Sequence, residues 1–525
     1  MPRYIVTAAP PNPNGDLHLG HLSGPFLGAD VQARYLRSTG ADVVHVSYID
    51  EHSCYVTRRA RELGGAAREV AHKLGNRIES TLEQAGMRPD FVGRPHRDAR
   101  HDQIVQDGFR TLHDQGCFTV ETLPVYWCAQ DEKYLYEAEI RGECHHCGAP
   151  SDGFYCEECG LPQTSGMLAE PRCTTCWTAP EVRQHERLVF DLERWRSALR
   201  EHYEGQQLRP RLRAFLDGML SAPLPPTPVS RLGDYGVPVP LPGWEGHYLD
   251  TWFSGLWGYV AATEGAARVL GAGAGADAWN HPDTEVIEFL GFDCGFSHAV
   301  LWVAFAMASG QVLPRVVTNE FYQLEGGKFS TSRGHAIWGG DVLGRVSVDS
   351  LRFYLCLTGP EERQTNFSRT EFADVVREVL TDGLEPFARL LADPDRNAEG
   401  DAVASEQLVE LTGKVRAGMA AALEPAAFSP SSAAAILADF VADRSGEAAK
   451  LAQAASAAAR IRALRDLATA VTPIMPGWAE DVLRAVGDGQ ASVGALVLGA
   501  GHPGWLIERD GKTSPVRSLA LTAVG

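Results

Sequence analysis

The opening of the chain constrains the fold most. Tyr4-Ile5-Val6-Thr7-Ala8-Ala9 is an apolar run of strand length, Pro10 to Gly15 is made of turn formers, and a helical pattern starts near His18. A second apolar run, Val43-Val44-His45-Val46-Ser47-Tyr48, ends at Ile49-Asp50-Glu51-His52, about one β-α-β unit later. Strands joined by a crossover of that length run parallel and are covered by helices on both faces. The reading is an α/β fold built on a Rossmann-type, doubly wound parallel sheet.

That pattern stops near residue 116 and resumes near residue 236. Between them lie a cysteine cluster and the Pro-rich stretch Ala222-Pro223-Leu224-Pro225-Pro226-Thr227-Pro228, which read as an inserted domain. Strand character returns at Glu285-Val286-Ile287-Glu288-Phe289-Leu290 and at Arg315-Val316-Val317-Thr318. Beyond about residue 345 the sequence is Ala-rich with apolar residues at helical spacing, as in Ala434 to Phe440 and Ile461 to Val471. The expected organisation is a first half-sheet over 1–115, an insert over 116–235, a second half-sheet over 236–345, and an α-helical bundle over 346–525.

A chain of 525 residues needs more than one core. No apolar run near the roughly 18 residues of a membrane span stands out, and Met1-Pro2-Arg3 leads straight into the first strand without a signal peptide, so the expected location is the cytoplasm with no membrane partner. The formal net charge of -19 offers no overall basic footprint for nucleic acid, although local patches serve many acidic RNA-handling enzymes. Six of the 11 cysteines fall in three C-x-x-C pairs between residues 144 and 176. In a long cytosolic chain that spacing reads as metal binding rather than disulfides. Cys144, Cys147, Cys156 and Cys159 supply four thiolates suited to a closed, structural tetrahedral zinc site. Cys173 and Cys176 form a third knuckle, whose partners in a second site would be Cys128 and Asp131.

Two further segments carry chemistry. His18-Leu19-Gly20-His21 follows the turn containing Asn14-Gly15, and its spacing puts both imidazoles on one helical face near the positive helix end, where phosphate can be held. Alone, H-x-x-H is a weak signal that two surface or metal-binding histidines also satisfy. Gly326-Gly327-Lys328-Phe329-Ser330-Thr331-Ser332-Arg333-Gly334 is a glycine-flanked loop with a lysine and three hydroxyls, able to close over a triphosphate.

Together and in this order, the two segments resemble the HIGH and KMSKS signatures of class I aminoacyl-tRNA synthetases. Asp50-Glu51-His52, Trp252-Phe253-Ser254-Gly255-Leu256-Trp257-Gly258-Tyr259 and Phe289-Leu290-Gly291-Phe292-Asp293 narrow the resemblance to the methionyl-tRNA synthetase family. The resemblance implies catalytic roles for His18, His21 and Lys328 in handling ATP. It implies ATP contacts from Asn14, Gly15, Gly291, Asp293, Ser330 and Ser332, with Asp50 anchoring the α-amino group. Asn12, Trp252, Tyr259, Cys294 and His298 would complete the amino-acid pocket. ATP with Mg2+ and structural Zn2+ are the implied cofactors.

The sequence also departs from that family. Asn12 stands where the family has a pocket tyrosine, Gly255-Leu256 replace an Ala-Pro pair, Cys294 replaces an apolar wall residue, and Thr331 replaces the second lysine of the loop. The family reads its anticodon with an asparagine and an arginine on one helix and a tryptophan on another. In the matching register the chain has Leu384-Glu385-Pro386-Phe387-Ala388-Arg389 and Ala449-Lys450. Residues 371–525 hold 14 Lys and Arg against 21 Asp and Glu, the wrong sign for a phosphate-binding surface. The sequence therefore predicts a ligase that activates an amino acid as its adenylate. The altered anticodon positions favour transfer to a small-molecule nucleophile, alone or with a partner biosynthetic enzyme, over transfer to tRNA. Two alternatives stand beside it: a second-copy methionine-tRNA ligase, and a noncatalytic binding module that kept the fold.

Overall fold

The structure is a computed structural model that describes residues 3–163, 166–271, 277–329, 335–393, 399–442 and 446–487. It divides into two compact units, Met1–Tyr322 with Pro360–Thr365, and Gln323–Gly359 with Asn366–Gly525.

The first unit is organised around a five-stranded sheet: β1 (Arg3–Ala8), β2 (Asp42–Tyr48), β3 (Phe91–Gly93), β4 (Thr284–Gly291) and β5 (Pro314–Asn319), in spatial order β5-β4-β1-β2-β3. Every neighbouring pair is parallel. β1 occupies the centre, with Thr7 in register with Glu288 on one side and Val46 on the other. Ile5, Val6, Val46, Val286 and Ile287 are buried, as expected for strands covered on both faces.

The helix after β1 is less regular than its spacing predicts. It makes one turn at Leu19–His21, widens into a π-helical segment at Leu22–Phe26 that is kinked at Gly24-Pro25, and straightens over Leu27–Ser38. Gly24 is needed there, because a Cβ would stand 2.3 Å from Nδ2 of Asn319 at the end of β5. Helix Thr251–Leu270 packs over β2 and β3. It starts at Asp250, whose carboxylate accepts the Trp252 N–H at 3.1 Å, and stops at Gly271 in a left-handed conformation (φ 71°).

One expectation is corrected here. Phe292–Ser309 has a mean hydropathy of 1.3 and is long and apolar enough, by length and composition, to cross a membrane. In this fold 72% of it is buried inside the protein, where it packs against the helices Ala99–Asp114 and Thr251–Leu270.

Between β3 and β4 the chain leaves the sheet. Phe118–Cys128 pairs antiparallel with Glu181–Phe190 to make a long hairpin-like ladder. Off its end hangs a small sheet of Ile140–Glu143, Pro150–Ser151 and Ala169–Cys173, which carries the cysteine knuckles.

The second unit begins with a tight hairpin that pairs Gln323 with Lys328 and continues as helices. Ala402–Leu423, Pro430–Val441 and Ala457–Val471 cover the stretches whose periodicity signalled a bundle. Two buried arginines satisfy carbonyls at helix ends in this unit. Arg352 donates to the carbonyls of Ile474 and Pro473, both at 2.9 Å, and Arg460 donates to Ala455 at 2.8 Å and Asp393 at 3.0 Å. Asp349 accepts the Gly477 and Trp478 N–H groups at the start of the last described helix, at 3.2 and 2.6 Å.

Candidate active site

Ligands of open parallel sheets gather at the carboxyl ends of the strands, because the connections there diverge and leave a crevice. β1 runs out into Pro10–Gly15, β2 into Asp50, and β4 into Gly291–Cys294, so three sequence-predicted groups share one edge. The Asp50 N–H donates to the Pro11 carbonyl at 3.1 Å, and the Asn14 N–H to the Asn12 carbonyl at 2.8 Å. These bonds set the turn beside the end of β2. Gly291 is again a steric requirement: a Cβ would lie 2.3 Å from Oδ1 of Asp293.

His18 and His21 stack with ring centroids 3.7 Å apart, and His21 Nδ1 accepts the His18 backbone N–H at 3.2 Å. That bond leaves the ring proton of His21 on Nε2. Burial, then the neighbouring His21, pushes His18 down to about 2, and the surrounding protein lowers His21 to about 4 even though its ring reaches the surface. His18 is the more enclosed of the two. Both shifts favour the neutral rings, each of which has one N–H to donate.

Asp50 is buried. Burial pushes its carboxyl up to about 7; Arg231 opposes the rise, while the charges of Glu51 and Asp250 add to it. Arg231 is itself buried and donates to the carbonyls of Tyr235 at 3.1 Å and His52 at 3.5 Å. Glu51, also buried, is paired with Arg94 at 2.7 Å.

The remaining pocket residues come together around Trp252. Its indole N–H donates to Glu137, which also accepts from Cys54 Sγ at 2.9 Å. Phe154 stacks on the indole at 5.0 Å with planes 8° apart, and Tyr155 meets it edge-on at 5.2 Å while its hydroxyl lies 3.7 Å from Cys294 Sγ. Tyr259 stacks on Trp302 at 4.5 Å and donates to the Ala8 carbonyl at 3.2 Å. His298 sits between them, 6.2 Å from Trp252 and 6.4 Å from Tyr259 by ring centroids. The Oδ1 of Asn12 is buried without a hydrogen-bond partner among the described residues.

Sequence reasoning missed Arg231, Glu137, Phe154, Tyr155 and Glu288. The last had a signal: a carboxylate in mid-strand interrupts the apolar run that a doubly covered strand should show. The insert residues had none, since their contacts join segments about 100 residues apart. Also unforeseen, His52, His101 and Asp102 bring three ligand-type atoms within 4.8 Å of one another beside Asp50.

Both cysteine groups assemble. Cys144, Cys147, Cys156 and Cys159 bring their sulfurs together, with the Cys144–Cys159 and Cys147–Cys156 pairs at 3.8 and 3.7 Å. A tetrahedron with Zn–S bonds of about 2.3 Å has edges of about 3.8 Å, so the set fits zinc. Cys128, Asp131, Cys173 and Cys176 form the second group, with Cys128–Cys176 at 3.3 Å and Asp131 Oδ2 at 3.2 and 3.0 Å from Cys128 and Cys173. Lys328 lies exposed in the second unit, paired with Gln323 in its hairpin. Ser330 and Ser332 lie outside the described residues.

Residues 4–390 match the family model described as tRNA synthetases class I (M). The chain is 34% identical over 386 residues to a methionine-tRNA ligase of Thermomicrobium roseum, aligning over 71% of its own length and 65% of that protein's. It is 33% identical over 426 residues to the methionine-tRNA ligase of Caldivirga maquilingensis, covering 79% of the chain and 72% of the relative. Among solved structures, Mycobacterium tuberculosis methionyl-tRNA synthetase in complex with methionyl-adenylate superposes with a TM-score of 0.72, at 20% identity, over 94% of this chain and 96% of that one. The solved relative thus shares the fold over nearly the whole of both chains. By the extent of the family match and the shared length with its relatives, the chain belongs to the class I tRNA synthetases, in their methionine group.

Proposed function

We propose that the protein activates methionine with ATP, in the cytoplasm, and transfers the methionyl group to tRNA. The observation that carries this reading is the convergence of Asp50, Trp252, Tyr259 and His298 at the sheet edge that also holds the HLGH turn, in a chain whose family match runs from residue 4 to 390. The small-molecule acceptor and the noncatalytic module favoured or weighed from sequence find no support in the relatives named above, which are methionine-tRNA ligases.

The chemistry is in-line attack of the amino-acid carboxylate oxygen on the α-phosphorus of ATP; the bond to the bridging oxygen breaks and pyrophosphate leaves. A terminal ribose hydroxyl of tRNA then attacks the adenylate carbonyl, losing its proton as AMP departs. ATP enters with Mg2+, whose charge offsets that of the phosphates. Neutral His18 and His21 donate hydrogen bonds to the phosphate oxygens as charge builds, and Gly291 and Asp293 receive the ribose, with Asn14 and Gly15 beside the nucleotide; the family resemblance assigns Lys328, Ser330 and Ser332 to ATP as well. Asp50 pairs with the ammonium, and the nearby charge of Arg231 favours its ionised form. Zinc, when bound, crosslinks the knuckles and takes no part in the chemistry.

Exchange of labelled pyrophosphate into ATP, run over the twenty amino acids with and without tRNA, tests this. Methionine should drive exchange without tRNA, and methionine tRNA should then be acylated. Absence of exchange with every amino acid, or exchange without acylation, overturns the proposal.

The position of Asp50 also sets a pH dependence. Its carboxyl titrates near 7, and only the ionised form pairs with the ammonium, so binding is full above that value and lost as pH falls through it. At saturating ATP, kcat/KM for methionine should fall about tenfold per unit below pH 7, reporting the free enzyme's ionisation. A flat profile from pH 8 to pH 5.5 would rule out Asp50 as the anchor.

A further inference from the structure

Glu288 lies at the middle of β4 with its side chain completely enclosed. A buried carboxyl in the heart of a sheet costs stability unless it is bonded. Neither of its oxygens makes a well-formed hydrogen bond among the described residues, and Thr7, opposite it on β1, leaves its hydroxyl unpaired as well. Its nearest partners are His298 Nε2, 3.5 Å from Oε1, and the hydroxyl of Tyr259.

The hydrogen bonds around His298 show what Glu288 supplies. The Ser297 hydroxyl donates to the Cys294 carbonyl at 3.0 Å, which leaves its oxygen as an acceptor. His298 Nδ1 is 2.9 Å from that oxygen and 3.3 Å from the same carbonyl, so Nδ1 carries the ring proton and Nε2 presents a lone pair. The Tyr259 hydroxyl, 3.5 Å from Nε2, spends its proton on the Ala8 carbonyl. Tyr203, also near, donates to Ala299 at 2.6 Å. The donor left for Nε2 is the carboxyl of Glu288. Burial pushes that carboxyl well above the usual range and lowers His298 to about 4, so a neutral acid faces a neutral imidazole.

We propose that Glu288 is a positioning residue for amino-acid binding: through Nε2 it fixes the ring orientation of His298, the histidine that lines the pocket beside Trp252 and Tyr259. The inference rests on the pocket assignment made above. It extends the site one layer behind the residues that the family signatures mark.

Two variants test it. Glu288→Leu removes the donor and keeps the volume; KM for methionine should rise about tenfold, with kcat and the KM for ATP within about twofold of the parent. Glu288→Gln retains an N–H that reaches Nε2 and should keep the methionine KM within about twofold. Equal KM values for the parent and Glu288→Leu, or equal losses in the two variants, overturn the proposal. A nitrogen-15 spectrum of histidine-labelled protein reads the tautomer and the hydrogen bond at Nε2 without any activity. One ring should be protonated at Nδ1 in all three proteins; its Nε2 resonance, shifted by the hydrogen bond it accepts, should hold in Glu288→Gln and move to the unbonded position in Glu288→Leu, and an unmoved Nε2 resonance in both refutes the inference even if the parent activates no amino acid. Should Glu288→Leu fail to fold, the parent spectrum decides: His298 protonated at Nε2 would refute the proposal.

Discussion

Cys156→Ser should lower the zinc content by one ion per chain and reduce methionine-dependent pyrophosphate exchange by about 100-fold or more. Cys156 stands 3.7 Å from Cys147 and directly follows Phe154 and Tyr155, the two rings that wall Trp252. The knuckle is too short to hold itself together by packing. In small zinc modules metal binding contributes on the order of 10 kcal/mol, and that energy is the folding energy. Losing it frees both rings, leaves Cys294 without its tyrosine neighbour, and opens one wall of the pocket to water. Because precise positioning carries a large share of rate acceleration in such reactions, the loss should appear in kcat as well as KM. Metal analysis with exchange kinetics checks this: a variant that lacks the ion yet exchanges within about threefold of the parent would show that the knuckle is dispensable to the pocket.

Asp50→Asn should lower kcat/KM for methionine by about 100-fold to 1000-fold, since a charge-assisted bond in a water-poor site contributes roughly 3 to 4 kcal/mol, at 1.4 kcal/mol per decade. The same change should leave the melting temperature at pH 8 unchanged or higher. Burial raises the Asp50 carboxyl to about 7, so above that pH the folded protein carries the charged form at a cost which asparagine removes. Activity and stability thus move in opposite directions, as expected for a residue held for function. A fall in both would identify Asp50 as a structural residue instead.

The parallel sheet was legible because doubly covered strands read as apolar runs, and the runs at Tyr4, Val43, Glu285 and Arg315 are β1, β2, β4 and β5. The cysteine pairs were legible because thiolate ligands must come in short knuckles. β3 was missed because Phe91–Gly93 is too short to show a period. The HLGH spacing puts two imidazoles on one face, but the π-helical widening beyond His21 has no periodic signature in Leu22–Phe26. Arg231 and Glu137 were invisible for a different reason: each is an ordinary charged residue of the insert until the fold carries it back to Asp50 and Trp252. Local pattern reports local structure, whereas the pocket is assembled from segments that meet only in three dimensions.

The register between Arg3 and Thr284 sets an order of events during synthesis. β1 is made first and pairs early with β2, but its other edge stays open until the ribosome has delivered the whole insert and then β4. An exposed strand edge in a nascent chain invites pairing with other chains. The insert closes on nearby contacts and on cysteine knuckles that zinc would crosslink, so its early folding shortens the path by which β4 reaches β1. Zinc supply to the growing chain should therefore govern how much protein escapes aggregation, quite apart from what the ion does in the finished molecule.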